Sequence, residues 1–437
     1  MNNTSINYKE SNNPLFNGKK LNLEGIRPEI CEHSIVNRPK DTVFGYCAWP
    51  SICSDENGTL YATSAAFGME HICPFNKVAM YISKNGGKTW SPPIVVVDTY
   101  LPDGHGGIDY LGNGKLLLSW NYHPGDVIFN TYYNRIRGNL TGGPADVYGE
   151  LRGAMMNIYP HLPAEKLVGG SYIKISEDYG ITWSEAIRLP VANVHGVCKC
   201  KDGTLLYLGK EYYKDTSKTF EEGAFDGSKQ LKSNSWQEYV EAVYNDCRDS
   251  EECVKSPLTV YASKDGGYTW EERGGMGLPA GMDWSKMWEP HMVELDDGTL
   301  LGSIRVESET VFPNDFSVYI ATSKDGGYTW SEMECTHIPG SPPHLLKHSS
   351  GKLICTVGCR VQEEGFGEYA YVSEDDGKTW TKKYIINDKA NCDDLGYPCS
   401  TELCDGSILT VYYQRYFDEE TGEYDRKPCI MSTRWTL

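Results

Sequence analysis

Ser263-Lys-Asp-Gly-Gly-Tyr-Thr-Trp270 is one of five copies of an eight-residue pattern. The others are Ser83-Lys-Asn-Gly-Gly-Lys-Thr-Trp90, Ser176-Glu-Asp-Tyr-Gly-Ile-Thr-Trp183, Ser323-Lys-Asp-Gly-Gly-Tyr-Thr-Trp330 and Ser373-Glu-Asp-Asp-Gly-Lys-Thr-Trp380. Each follows an alternating apolar run, such as Val78-Ala-Met-Tyr-Ile82, and so reads as the turn of a hairpin. The chemistry suits a turn: the Asp (Asn85 in the first copy) can accept from backbone N–H groups of its own loop, Gly supplies positive φ, and Trp offers a large apolar body. A pattern copied in this way marks one supersecondary unit used repeatedly.

A second repeat sets the register of the first. Before each hairpin lies a segment ending in a Gly-centred turn: Trp49-Pro50 to Gly58, His105-Gly106 to Gly114, Val194-His195 to Gly203, Glu289-Pro290 to Gly298, Pro342-Pro343 to Gly351 and Tyr397-Pro398 to Gly406. In all six, the second named residue precedes the turn glycine by eight positions. Successive units start 56, 89, 95, 53 and 55 residues apart, so a unit of about 55 residues carries two insertions, at about 121–170 and 211–256. That length fits four strands, A to D, with the Asp-containing turn between C and D. The expectation is an all-β chain: a six-bladed β-propeller of four-stranded antiparallel blades, one domain over residues 1–437. The last unit has only Ser432-Thr-Arg-Trp435 in place of the full pattern, so the N-terminal stretch around Ile30–Val36 is expected to complete it and close the ring.

Composition narrows the classes of function. The 437 residues can bury a large core, and no apolar stretch reaches membrane-spanning length. The opening residues lack a signal peptide's apolar segment, which makes the chain cytoplasmic by expectation. A net charge of −19 argues against nucleic acid and anionic membrane as partners, while leaving an anionic small molecule open, because local fields decide binding in a pocket. Fifteen cysteines without metal-finger spacing read as free buried thiols. His105, His195, His291 and His344 all fall near starts of A strands, but in different registers, so they are expected on alternating faces and not around one metal. No metal or cofactor is expected. The expected partner is a small-molecule or oligosaccharide substrate, with a homo-oligomer open.

Strand order then selects a face. The start of A, the end of B and the B–C loop share one mouth, and the Asp-containing turns lie at the other end. Both insertions are B–C loops, so their aromatics (Tyr132, Tyr133, Tyr159, Tyr212, Tyr213, Trp236, Tyr239) are placed to stack on sugar rings or to form packing contacts. The residue before the aligned Pro reads Trp49, His105, Val194, Glu289, Pro342 and Tyr397 around the ring, which sets a carboxylate and a phenol at equivalent heights. Arg305 ends strand B of blade four, Lys210 holds the same register in blade three, and Arg360 lies two residues beyond it in blade five.

These segments resemble the sialidase superfamily across nearly all six blades. The eight-residue pattern is that family's Asp box. Glu289-Pro-His-Met-Val-Glu-Leu-Asp-Asp-Gly-Thr-Leu-Leu-Gly-Ser-Ile-Arg305 resembles its glutamate-and-arginine segment, and Tyr397-Pro-Cys-Ser-Thr-Glu-Leu-Cys-Asp-Gly406 its nucleophile segment. The resemblance implies that Tyr397 attacks the anomeric carbon, Glu289 takes its proton, and Arg305 binds a substrate carboxylate. A phenol approaches a carboxylate-bearing anomeric carbon without the repulsion that a carboxylate nucleophile would meet.

Two of the family's three arginines are missing. Ala48-Trp49-Pro50 stands where the first belongs, and Phe366-Gly-Glu-Tyr-Ala370 where the third does. Arg360 and Lys210 are the available substitutes, with Trp49, next to the position of the first arginine, as a further substrate-binding candidate. The family's general acid lies in the B–C loop of blade one, which here offers Glu70 and His71; Asp103 and His105 from blade two are further candidates for proton transfer. The leading expectation is a retaining exo-glycosidase for sialic acid or a related acidic sugar. A glycosidase for a neutral or other keto-acid sugar, a propeller polysaccharide lyase and a non-catalytic carbohydrate-binding propeller are the alternatives.

Overall fold

The computed structural model describes residues 6–71, 73–122, 158, 161–163, 166, 170–210, 258–279, 282, 286–307 and 314–437. Six sheets are arranged as the blades of a propeller, and the first five take strands A to D in chain order. The A strands are Tyr46–Ser54, Gly104–Gly112, Cys198–Lys199, Met287–Glu294, Ser341–Lys347 and Gly396–Glu402. Those of blades one, two, four, five and six pack on their neighbours around the axis, which makes them the inner wall. The aromatic insertion residues named above lie outside the described residues.

Closure occurs as the repeat requires. Cys31–Asn37 pairs antiparallel with Glu423–Trp435 and supplies the outer strand of blade six. First and last segments of the chain thus share one sheet, which removes the open edge an incomplete blade would leave.

The sequence repeat did not reveal what precedes that strand. Tyr8–Glu10 and Lys19–Leu21 form a small hairpin around a 3-10 turn at Pro14–Phe16, and Gly25–Ile26 adds a fifth, parallel strand to blade five. Buried Lys20 donates to both Asp315 oxygens at 2.9 and 3.0 Å, and Asn13 Nδ2 joins at 3.0 Å. Asp315 precedes Phe316, so this hairpin braces a segment that matters at the mouth.

The Asp-containing turns are built alike. In the third copy, Ser263 Oγ donates to Asp265 Oδ1 at 2.8 Å and accepts from Gly267 N at 2.8 Å. Asp265 accepts from Thr269 N at 3.0 Å and from its hydroxyl at 2.6 Å, and Trp270 Nε1 donates to Gly267 O at 2.9 Å. Gly267 has φ 102°, a left-handed value that a side chain would strain. Between blades, apolar residues interdigitate: Tyr81, Leu409, Val411, Tyr413 and Ile430 join one buried cluster linking blades one and six. The thirteen described cysteines carry free thiols.

Candidate active site

The A strands enter the inner wall through a repeated irregularity. Pairing with strand B skips residues between Ala48 and Ser51, Trp288 and His291, Ser341 and His344, and Gly396 and Cys399, with a matching shift opposite Gly104–Gly107. Within these bulges Trp49, His105, Glu289 and Tyr397 take left-handed backbone, with φ 56°, 54°, 56° and 51°. Such conformations are strained for non-glycine residues and persist where surrounding structure enforces them, often next to functional sites. Glycine makes room for one of them: a Cβ on Gly358 would come within 2.7 Å of Gly396 Cα, so the blade-five backbone closes directly on the residue before Tyr397.

These four side chains converge. Tyr397 donates its phenolic hydrogen to Glu289 Oε1, and Arg305 Nη1 donates to Glu289 Oε2 at 2.6 Å. Arg305 Nη2 donates to Glu307 Oε2 at 2.5 Å, and its guanidinium lies 4.2 Å from the Phe316 ring centre. Arg360 stands 5.5 Å from the Tyr397 ring centre, with Nη2 3.5 Å from Tyr413 Oη. Trp49 and His105 pack edge-on at 4.6 Å, and His105 lies 5.4 Å from Tyr397.

Charge follows from this packing. Burial pushes the Tyr397 phenol well above its ordinary value, reinforced by Glu289 and opposed by Arg305 and Arg360, so the resting phenol keeps its proton. For Glu289, burial alone would raise the carboxyl; Arg305 and the Tyr397 hydrogen bond overcome this and hold it below the usual carboxylate range. The pair is therefore a protonated phenol bonded to an ionised carboxylate. Burial lowers His105 to about 4, leaving it neutral.

His71, in the B–C loop of blade one, is more than half exposed and packs edge-on against Trp49 at 4.9 Å. Its Nδ1 lies 2.9 Å from Tyr46 Oη, which donates to Asp394 Oδ1 at 2.9 Å. Because that phenol spends its hydrogen on Asp394, His71 Nδ1–H donates to it and Nε2 is left to exchange protons. Burial would raise Asp394; the His71 and Tyr46 bonds keep it below the usual range. Asp394 comes from the loop entering blade six, three residues before Tyr397.

Other sequence candidates fall elsewhere. Asp103 is fully buried and accepts from Thr99 N at 2.7 Å and Thr99 Oγ1 at 2.9 Å, which ties its own loop together. Lys210 is fully buried with Nζ 3.4 Å from the ring centre of Trp288, the residue before Glu289. Glu70 is half-buried beside His71. The histidines at the axis depart from the expected alternation: His195, His291 and His344 cluster, with ring centres 5.2, 5.3 and 4.3 Å apart. The A-strand bulges reset the pleat, so counting alternate faces from sequence failed there. His291 Nδ1 accepts from Leu345 N at 2.9 Å and His344 Nδ1 from Ser400 N at 3.4 Å, which puts their protons on Nε2 and suits hydrogen bonding better than metal ligation. His105 stays with Trp49 and Tyr397.

Comparison with known proteins agrees with this architecture. The profile of the BNR repeat-like domain matches residues 231–416, and that of the BNR/Asp-box repeat matches residues 81–92. The NanB sialidase of Streptococcus pneumoniae superposes with TM-score 0.56 at 14% identity, covering 91% of this chain and 70% of that one. The chain carries BNR/Asp-box repeats on a six-bladed propeller fold that it shares with this sialidase. This propeller also superposes on a protein of unknown function from Dyadobacter fermentans (TM-score 0.62, 18% identity, 95% of this chain and 100% of that one). A third likeness is to the α-L-arabinofuranosidase Arb93A of Fusarium graminearum (TM-score 0.54, 12% identity, 93% and 97%). No curated protein matches the sequence significantly. These solved structures share the fold at identities too low to carry a substrate across.

Sequence reasoning missed Glu307, Phe316, Asp394, Tyr46 and Tyr413. A signal for Tyr413 was present: it follows Tyr397 by sixteen residues, as Arg305 follows Glu289, and so pairs with the start of strand A at the same mouth. Asp394 had none, because it lies in a loop outside the repeated register.

Proposed function

We propose that this propeller is a retaining glycoside hydrolase, with the hydrogen-bonded chain Tyr397–Glu289–Arg305 as the observation that carries the reading. Neighbours with this fold include sialidases and an arabinofuranosidase, which supports glycosidase chemistry without selecting a sugar. In the first step Tyr397 Oη bonds to the anomeric carbon as its proton passes to Glu289 Oε1. Arg305 offsets the charge on Glu289 before that transfer. His71, protonated at Nε2 and backed through Tyr46 by Asp394, gives its proton to the departing glycosidic oxygen. In the second step His71 Nε2 takes a proton from water, water oxygen bonds to the anomeric carbon, and the Tyr397 oxygen leaves and recovers its proton from Glu289.

A second reading has Glu289 itself attack, with Tyr397 as a hydrogen-bond donor. Its ionised state at the buried end of Arg305 favours that role, since most retaining glycosidases use a carboxylate nucleophile. Trapping decides between them. A 2-deoxy-2-fluoro or 3-fluoro glycosyl fluoride leaves the sugar on the nucleophile, and peptide mass spectrometry locates the adduct. An adduct on Tyr397 supports the first reading, and one on Glu289 the second. Activity indifferent to both residues, or an ultraviolet-absorbing unsaturated product typical of a lyase, would remove both.

A further inference from the structure

The charges around Arg305 constrain what sugar can enter, given the glycosidase reading above. A guanidinium that captures a substrate carboxylate must present its paired N–H groups to it. In Arg305 each terminal nitrogen already gives one hydrogen to a carboxylate, Nη1 to Glu289 and Nη2 to Glu307, while Nε has no described partner. Both carboxylates are about 6% exposed, and the guanidinium face is covered by Phe316. A sugar acid would have to displace one of two buried anions or sit beside them.

Arg360 is the second cation against Tyr397, and the one carboxyl on the adjoining strand is pushed well above its usual range by burial and so adds no charge. On the adjoining strand the fully buried Glu368 stands within the short Phe366-to-Ala370 segment. A Cβ on Gly358 would meet its Oε2 at 3.3 Å and Gly396 Cα at 2.7 Å, so this carboxyl lies directly behind the backbone that leads into Tyr397. Asp394 adds a further carboxylate at the rim, beside His71. Two guanidinium groups thus already face Glu289, Glu307 and Asp394 before any ligand arrives.

We propose that the pocket takes an uncharged terminal sugar in preference to a sugar acid, and that Glu307 sets this preference by occupying Arg305. Hydroxyl groups suit the arrangement because each can donate to Glu307 or Glu289 and accept from Arg360, whereas a carboxylate offers acceptors only. Glu307 touches Arg305 and not the reacting atoms of the protein, so its role is in specificity.

The test uses the full chain with 4-nitrophenyl glycosides of neutral pentoses and hexoses in both anomers, against 4-nitrophenyl N-acetyl-α-neuraminide. Wild type should turn over its best neutral glycoside with kcat/KM at least tenfold above the neuraminide. Glu307→Gln, which keeps an acceptor for Arg305 but removes the charge, should shift that ratio toward the neuraminide at least tenfold, mainly through its KM; Glu307→Asp should retain the wild-type ratio. A wild-type preference for the neuraminide, or an unchanged ratio in a folded Glu307→Gln, overturns the proposal. Should Glu307→Gln melt early, the wild-type ratio decides. Calorimetric binding of neutral iminosugars and of a 2,3-dehydro sugar acid to Tyr397→Phe separates this inference from the glycosidase reading. Tighter neutral binding without turnover keeps the pocket assignment and removes the chemistry, while equal or tighter acid binding, or none by either class, removes the pocket assignment.

Discussion

The box turn recurs in five blades and a left-handed bulge at the mouth in four, but only the box repeats its side chains. At the Asp-box end, Ser263, Asp265, Thr269 and Trp270 make hydrogen bonds that Ser323, Asp325, Thr329 and Trp330 reproduce to within a few tenths of an ångström. At the mouth, the same left-handed bulge presents Trp49, His105, Glu289 and Tyr397, four different chemistries on one backbone geometry. Side chains kept from copy to copy serve the fold; divergent side chains on a shared, strained backbone are free to serve a site.

The largest expected effect follows at the mouth. Tyr397→Phe and Glu289→Gln should each lower kcat by about a thousandfold or more, since each removes a participant in the bond-forming step. Thermal denaturation should separate them. Tyr397→Phe removes a donor to a carboxylate still held by Arg305, and should melt within a few degrees of wild type. Glu289→Gln leaves Arg305 with one carboxylate fewer and should melt lower. Equal kcat losses for substitutions at the box end would break the comparison. The kcat/KM profile sharpens it: Glu289 works ionised and is held below its usual range, so its acid limb should lie below that of an ordinary glutamate.

His71→Ala comes next, with a loss of about a hundredfold on a glycoside whose leaving group needs a proton and much less on a 4-nitrophenol leaving group that does not. Asp394→Asn should show the same dependence on leaving group at smaller amplitude, because it acts through Tyr46 and His71. A uniform loss across leaving groups would assign both residues to packing.

How much of this was legible depended on the repeat. Six aligned starts placed Glu289, Tyr397, Trp49 and His105 at one mouth, and the sixteen-residue offset carried Arg305 there too. Lys210 had the same offset and lies against Trp288, a contact that register alone does not specify, since it fixes where a strand ends and not what its side chain meets. Asp394, Phe316 and the N-terminal hairpin lie in connections that the repeat does not constrain, so their contacts exist only in three dimensions. The axis histidines were missed for a third reason: a bulge adds a residue to the pleat, and sequence alternation cannot register it.

Those histidines give an intermediate effect and a contrast in pH. Burial lowers His291 to about 3 and pushes His195 and His344 well below 6.5. The unfolded chain therefore binds more protons at these sites below about pH 6.5, and the stability they contribute is present above that value and lost as pH falls toward the folded values. Each histidine should steepen the loss by up to about 1.4 kcal/mol per pH unit in that window. The box aspartates Asp265 and Asp325 are also depressed, first by their Thr hydroxyl bonds, but from a carboxylate's ordinary value, so their share is lost only below about pH 4. Urea unfolding from pH 7 to 4 should show an early slope that His291→Asn reduces. A slope beginning only below pH 4 would mean that the axis histidines ionise as freely as exposed ones.

The smallest effect belongs to the box end itself. Ser263→Ala deletes a buried hydroxyl that both accepts from Gly267 N and donates to Asp265, leaving the Gly267 amide without that partner. A lost buried hydrogen bond of this kind costs about 1–2 kcal/mol, and the four other boxes remain intact. Urea denaturation should record that loss with kcat unchanged, because the turn sits at the opposite end of blade three from the mouth. The same substitution at Ser323 should cost a similar amount, and the pair together about the sum, since the two turns share no described hydrogen bond. Clear non-additivity, or a change in kcat from either, would show that the box end transmits to the mouth through the inner strands and is more than a repeated brace.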